Sequence, residues 1–173
     1  MTIHHSHPFE PPRGERDAAR RFRGRLGGAV SLWTAGASEQ RAGLTVSSLM
    51  LARGEPARVL ALLDPDADLT DRLRSTARGV VQLLQWQHRG LADAFAGTAP
   101  APGGPWRMAS WLDTPYGPRL DGSAGWLHVR LEECHEVGWW LQVTCVVDGV
   151  GLGDDGAGAG GRPRGGAAAH APA

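Results

Sequence analysis

The clearest periodicity in the chain has a step of two. In "AGWLHVRLEECHEV" Leu127, Val129 and Leu131 fall on one face of an extended segment, and His128, Arg130 and Glu132 fall on the other. "WWLQVTCVVDGVGL" returns with Leu141, Val143, Cys145 and Val147 inward, and Gly138 lies in the turn. Alternation of this kind predicts a long hairpin with one buried face. Shorter apolar runs predict strands over 28–34, 44–51, 57–64 (with Pro56 at its edge) and 80–86, the last so apolar that it reads as buried on both faces. Two segments carry helical spacing. One covers 71–77, capped by Asp68 or Thr70 and ended by Gly79; the other covers 88–97, with Leu91, Ala94 and Phe95 on one stripe. A further short helix is predicted over 15–25, and residues 106–122 read as extended pieces broken by turns. Strands and helices do not alternate regularly, so the pattern predicts a small, mostly β barrel with a few short helices.

Domain organisation follows from where this patterning stops. Residues 1–14 are rich in Pro and His and read as a flexible arm, 15–152 as one folded domain, and 153–173 as a disordered Gly/Ala-rich tail without enough apolar surface to offset its ordering cost. A chain of 173 residues is long enough for one real core. Its net charge of zero removes any broad electrostatic drive toward nucleic acid or an anionic membrane. The early arginines are interleaved with Glu15 and Asp17 and read as a solvated helix face. No apolar run approaches membrane-spanning length, and "MTIHHSHPFEPP" lacks the apolar stretch of a signal peptide. The expectation is a soluble, cytoplasmic protein.

Absences narrow the chemistry. The chain has no lysine, which excludes Schiff-base catalysis and a P-loop lysine, and no asparagine, which excludes N-glycosylation. Cys134, His135 and Cys145 lack the second ligand pair that tetrahedral zinc needs, so both cysteines read as reduced, small core hydrophobes and no metal site is assigned. Cys134 and His135 are adjacent on a strand and point to opposite faces, which argues against a thiol–imidazole pair. No Gly-x-Ser-x-Gly elbow supports Ser47 or Ser48 as a nucleophile, and no catalytic residue is assigned. The seven tryptophans are scattered rather than interleaved with basic residues as a single-stranded nucleic-acid surface requires. One polar cluster remains: Thr45, Ser47 and Ser48 on a predicted strand. Either these hydroxyls bond the neighbouring backbone, or they face a flat heterocycle that brings its own chemistry.

The segments "GLTVSS", "VLALLDPDADLTDRL", "GVVQLLQ", "LADAFAG" and "GPRLDGSAGWLHVRLEE", followed by the final strand, resemble in order and spacing the flavin reductase-like, FMN-binding split-barrel family. The resemblance covers about residues 18–153 and implies a split barrel that homodimerises, holds FMN (or FAD) between protomers, and takes NAD(P)H as co-substrate. Reduced flavin would pass to a partner monooxygenase. It further implies that Thr45, Val46, Ser47 and Ser48 line the flavin ring and ribityl chain. The loop containing Asp64, Ala67, Asp68, Leu69 and Thr70 would approach the phosphate, Gln82 would stand near the flavin, and Phe95 and Gly97 would close the pocket. The chain departs from the family pattern in three places. Ala67 and Leu69 stand where hydroxyls are common, Gln82 where asparagine is frequent, and Gly138-Trp139-Trp140 where the family has Gly-Asp-His. Trp139 and Trp140 could stack on a nicotinamide ring or form a rim or dimer pair. The first reading is therefore an NAD(P)H:flavin oxidoreductase. Its alternative is a split-barrel protein that binds flavin, or another cofactor such as haem or a deazaflavin, without reducing it from NAD(P)H.

Overall fold

A computed structural model describes residues 28–152 together with Phe22 and Arg25. Of the helix expected over 15–25 only those two residues are described, both helical; the arm and tail assigned to 1–14 and 153–173 lie outside the described residues. The elements in chain order are β1 (Ser31–Ala35), β2 (Ala42–Val46), β3 (Met50–Ala52), β4 (Arg58–Leu63), α1 (Asp68–Thr76), β5 (Arg78–Leu83), α2 (Arg89–Phe95), β6 (Trp111–Thr114), β7 (Gly117–Leu120), β8 (Gly125–Val137) and β9 (Trp140–Leu152), with single 3₁₀ turns at Ser38–Gln40, Trp86–His88 and Pro105–Met108. Seven strands form one antiparallel sheet in the order β2-β1-β5-β8-β9-β4-β3, and β6 and β7 form a separate ribbon. The fold is mostly β, as the sequence pattern predicts, and it is the split barrel that the family resemblance implies.

The predicted hairpin is the spine of this sheet. Val137 pairs with Trp140 across a two-residue turn, where Gly138 takes the positive φ (58°) that such turns demand of their first residue. Bulges after His128 and Leu131 shift the alternation, so Cys134 joins Leu127, Val129 and Leu131 against the barrel core. Cys145 is fully buried there, and burial pushes its thiol up to about 12, which makes it an inert core residue.

Two expectations need correction. Residues 44–51 are not one strand: β2 ends at Val46, the chain turns through Ser47–Leu49, and β3 begins at Met50. Both become edge strands, and the gap between them is bridged by a side chain. Ser48 Oγ donates to Leu62 O and accepts from Leu62 N–H, both at 2.9 Å, standing in for a ladder pair between the β2–β3 corner and β4. Helix α1 also differs in its ends. Ala67 is its N-cap without a side-chain bond, while Thr70 Oγ1 donates to Asp64 O at 2.6 Å and Asp64 Oδ1 accepts from Asp66 N–H. The helix stops at Ala77, which adopts the left-handed conformation (φ 55°). Gly79 belongs to β5, where a Cβ would crowd Thr34 O and Leu73.

Two apolar layers result. Trp33, Val59, Leu63, Leu69, Leu73, Val81 and Val143 fill the barrel interior, with α1 contributing both of its core leucines. Leu32, Leu91, Phe95 and Leu120 pack outside it, with Trp106 and Trp111, beneath α2 and the β6–β7 ribbon. Strand β1 is therefore buried at every residue, and β5 at Gly79–Gln82, each sandwiched between the layers.

A column of rings crosses the outer face of β8. Trp126 and His128 pair with Gly151 and Gly149 on β9; the Trp126 ring rests where a side chain at 151 would stand, while a Cβ at 149 would only touch His128. Their centroids are 4.4 Å apart, and His128 stacks on Tyr116 at 4.5 Å. Arg119 lies over Trp126 and Arg78 over Tyr116. Burial above all, and then the Arg119 charge, hold the His128 imidazole below its usual range, with Asp148 opposing. The folded state therefore favours the neutral ring, protons bind preferentially to the unfolded chain, and stability should fall as pH drops below about 6.5. Denaturant midpoints from pH 7.5 to 5 check this: His128→Phe, which keeps a ring, should flatten the profile, and an unchanged slope would assign the acid sensitivity elsewhere.

Candidate functional site

The register brings three of the predicted segments to one place. Ser48 bonds Leu62, Leu63 pairs with Leu141, and Leu141 follows Trp140. The Ser47–Ser48 corner, the loop that begins at Asp64 and the Trp139–Trp140 tip are thus neighbours around the end of β4. Ser47 is exposed and Ser48 half-buried; Asp64, Asp66 and Asp68 are exposed, and Ala67 is half-buried. Trp139 and Trp140 are 52% and 37% exposed, so two indoles border the corner without being core residues. In the first turn of α1 the N–H groups of Asp68 and Leu69 precede the first intrahelical bond, which starts at Thr70 N–H.

Other predicted residues are committed to the scaffold. Thr45 Oγ1 donates to Ala92 O at 2.7 Å and pins α2 to β2. Val46, Leu69 and Thr70 are buried, the first two in the barrel core. Phe95 is 7% exposed, lies edge-on to Trp106 (4.9 Å) and Trp111 (5.9 Å), and would meet a Cβ at Gly43 within 2.6 Å. It fastens α2 to the outer layer. Gly97, with φ 68°, is exposed just beyond that helix, and a Cβ there would meet nothing.

Gln82 is a correction. It is completely buried, and its amide is spent inside the protein: Nε2 donates to Thr34 Oγ1 (3.2 Å) and Pro118 O (3.4 Å), and Oε1 accepts from Leu120 N–H. It ties β5 and β1 to β7 and reaches no open surface. A buried amide with its main partners present is a fastener, because leaving either end unpaired would cost about 1–3 kcal/mol.

The groups gathered at this corner fit a flat heterocycle better than they fit its phosphate. Ser47, the backbone around the corner and two exposed indoles can address a ring and a hydroxylated chain. No hydroxyl replaces those absent at Ala67 and Leu69, and three carboxylates stand nearby. A phosphate could be met there only by backbone N–H groups at the start of α1. The described residues hold no cluster of three potential metal ligands and no helix long and apolar enough to cross a membrane. Reasoning from sequence missed Ser31, whose buried Oγ donates to Val46 O (2.8 Å) and accepts from Trp33 Nε1 (3.2 Å), because a lone serine in an apolar run carries no signal of that role.

Solved structures share this architecture. The chain is similar to the Streptomyces globisporus C-1027 NADH:FAD oxidoreductase SgcE6 in complex with NAD and FAD fragments (21% identity, 85% of this chain and 87% of that one, TM-score 0.72). It is similar also to a nitrilotriacetate monooxygenase component B homologue from Mycobacterium thermoresistibile (20%, 82% and 79%, 0.70) and to the styrene monooxygenase flavin reductase SMOB from Pseudomonas putida S12 (19%, 74% and 81%, 0.64). No curated protein matches the chain. The flavin reductase like domain matches residues 23–165, which is most of the sequence and includes every segment of the candidate site, and the chain belongs to that family.

Proposed function

We propose that this protein binds flavin at the corner formed by Ser47–Ser48, the loop after β4 and the Trp139–Trp140 tip, and that it acts as an NAD(P)H:flavin oxidoreductase. The convergence of those three segments, inside a chain that belongs to the flavin reductase like family, carries the reading. Flavin, when bound, supplies the hydride-accepting chemistry. The chain's own residues bind and orient: the corner backbone and Ser47 address the ring, the indoles of Trp139 and Trp140 shield it from water, and the first N–H groups of α1 meet the phosphate of FMN. FAD is the other flavin that this reading admits. Similar proteins named as monooxygenase components support a role in supplying reduced flavin to such a partner.

A homodimer in the cytoplasm is part of the same proposal. Val30, Leu83, Val150 and Leu152 are all exposed, and the side chains of Leu83 and Leu152 flank Gly125 at one end of the sheet, an aliphatic edge that a second copy could cover.

One observation favours a second reading. The Trp139–Trp140 tip offers no titratable group where the family has Gly-Asp-His, which suits a flavin-binding protein without nicotinamide turnover. NADH and NADPH oxidation with added FMN, FAD or riboflavin separates the two. Flavin-dependent oxidation, reduced at least tenfold by Trp140→Ala, is the expected result. Quenching of flavin fluorescence without turnover would leave the binding protein, and neither signal would remove both.

A further inference from the structure

A cleft of about 670 Å³ opens at the far end of α1, between the turn after β1, the start of β5, the β6–β7 turn and β8. Arg72, Arg78 and Arg130 line it with Gln40, Thr76 and Tyr116, and no carboxylate does. We propose that it binds a small ligand carrying a phosphate or pyrophosphate group, at a site separate from the flavin corner and independent of the flavin reading.

The guanidiniums are held in place rather than loosely displayed. The stem of Arg72 lies against Gly36, where a Cβ would come within 2.8 Å of Cδ, and its Nη1 donates to Gln40 Oε1 at 3.2 Å. Gly36 has φ 77°, so both the turn and the closeness of Arg72 demand glycine. Arg78 rests on the Tyr116 ring, 5.5 Å from its centroid. Arg130 gives Nε and Nη2 to Asp148, which also accepts from Tyr116 O–H, and Nη1 remains for a ligand. Among the described residues neither Arg72 nor Arg78 has a carboxylate partner.

Charge bookkeeping favours an anion. The carbonyl end of α1 contributes about half a negative charge and Asp148 a full one, so three guanidiniums leave an excess of about one and a half positive charges in the cleft. Arginine's planar fork suits phosphate oxygens, which it can meet with two parallel bonds. The volume suits a nucleotide-sized molecule. The nine residues of α1 put about 13 Å between this cleft and the helix N-terminus, so the phosphate group of a ligand here is not one held at that N-terminus.

Titrating the full-length protein with sodium pyrophosphate at low ionic strength, by calorimetry, tests the site. One site per chain with Kd below about 1 mM is expected, with affinity falling as salt rises. Arg72→Ala and Arg78→Ala should each weaken binding about tenfold or more, as loss of a charge-assisted bond implies, while Arg53→Ala, on the β3–β4 connection, should not. Saturating riboflavin, which has the flavin ring but no phosphate, should leave pyrophosphate affinity unchanged. The proposal is overturned by absence of saturable binding, by undiminished binding in the Arg72→Ala/Arg78→Ala double variant when circular dichroism shows it folded, or by displacement with riboflavin.

Discussion

Phe95→Ala should lower folding stability by about 3–5 kcal/mol, the range for removing a large aromatic from a packed interior. The ring joins three things at once. It closes α2 onto Gly43 of β2, meets Trp106 and Trp111 edge-on, and fills the outer layer with Leu32, Leu91 and Leu120. Truncation leaves a void that backbone on two sides cannot easily collapse, and it forfeits the edge-to-face contacts, each worth about 0.5–1.5 kcal/mol. Urea denaturation followed by tryptophan emission measures the loss. A variant less than 1 kcal/mol weaker but impaired in flavin affinity would return Phe95 to the pocket wall.

Ser48→Val should have the next largest effect, about 2 kcal/mol. Valine fits the half-buried space but can neither donate to Leu62 O nor accept from Leu62 N–H, and a strand amide and carbonyl are left without their seam partner. Because this one hydroxyl bridges the β2–β3 corner to β4, the loss should appear first as faster hydrogen exchange at Leu62 and only then as global unfolding. Ser48→Thr, which retains the hydroxyl, should recover most of it. Native exchange and native stability in Ser48→Val, combined with weakened FMN binding, would mean that the hydroxyl serves the ligand and not the seam.

These two residues show what the sequence can and cannot disclose. The β8–β9 hairpin was legible because Leu127, Val129 and Leu131 alternate inward opposite a returning run with Leu141, Val143 and Cys145, although the bulge that turns Cys134 inward was not. The double burial read over 80–86 was legible only in part: residues 80–82 are buried on both faces, but β5 ends at Leu83, and Leu83 and Trp86 (the latter in a 3₁₀ turn) are exposed. The break at Ser47 was hidden, because apolar residues on both sides, Leu44 and Val46 before and Met50 and Leu51 after, read as one run. Nor could composition tell a hydroxyl that grips a ligand from one that replaces a ladder bond; Thr45 and Ser48 proved to be bonded to backbone. Ala77 ends a helix in a conformation that alanine does not advertise, and Gln82 looked like a ligand-facing amide only while the β6–β7 ribbon above it was unknown. At the candidate site the segments were foreseen, but their meeting depends on the β4–β9 register. The arginine cleft draws on four separated stretches of chain, and no local pattern announces it.

The Trp126 ring over Gly151, at the end of the ring column, makes β9 an unforgiving template at that position. Any methyl group at 151 would overlap the Trp126 indole, and a displaced indole would push on His128, then Tyr116, and finally on the guanidinium of Arg78. A change on β9 would therefore be transmitted mechanically to the wall of a cleft it never touches, and substitutions accepted along that strand must preserve bare backbone at 151.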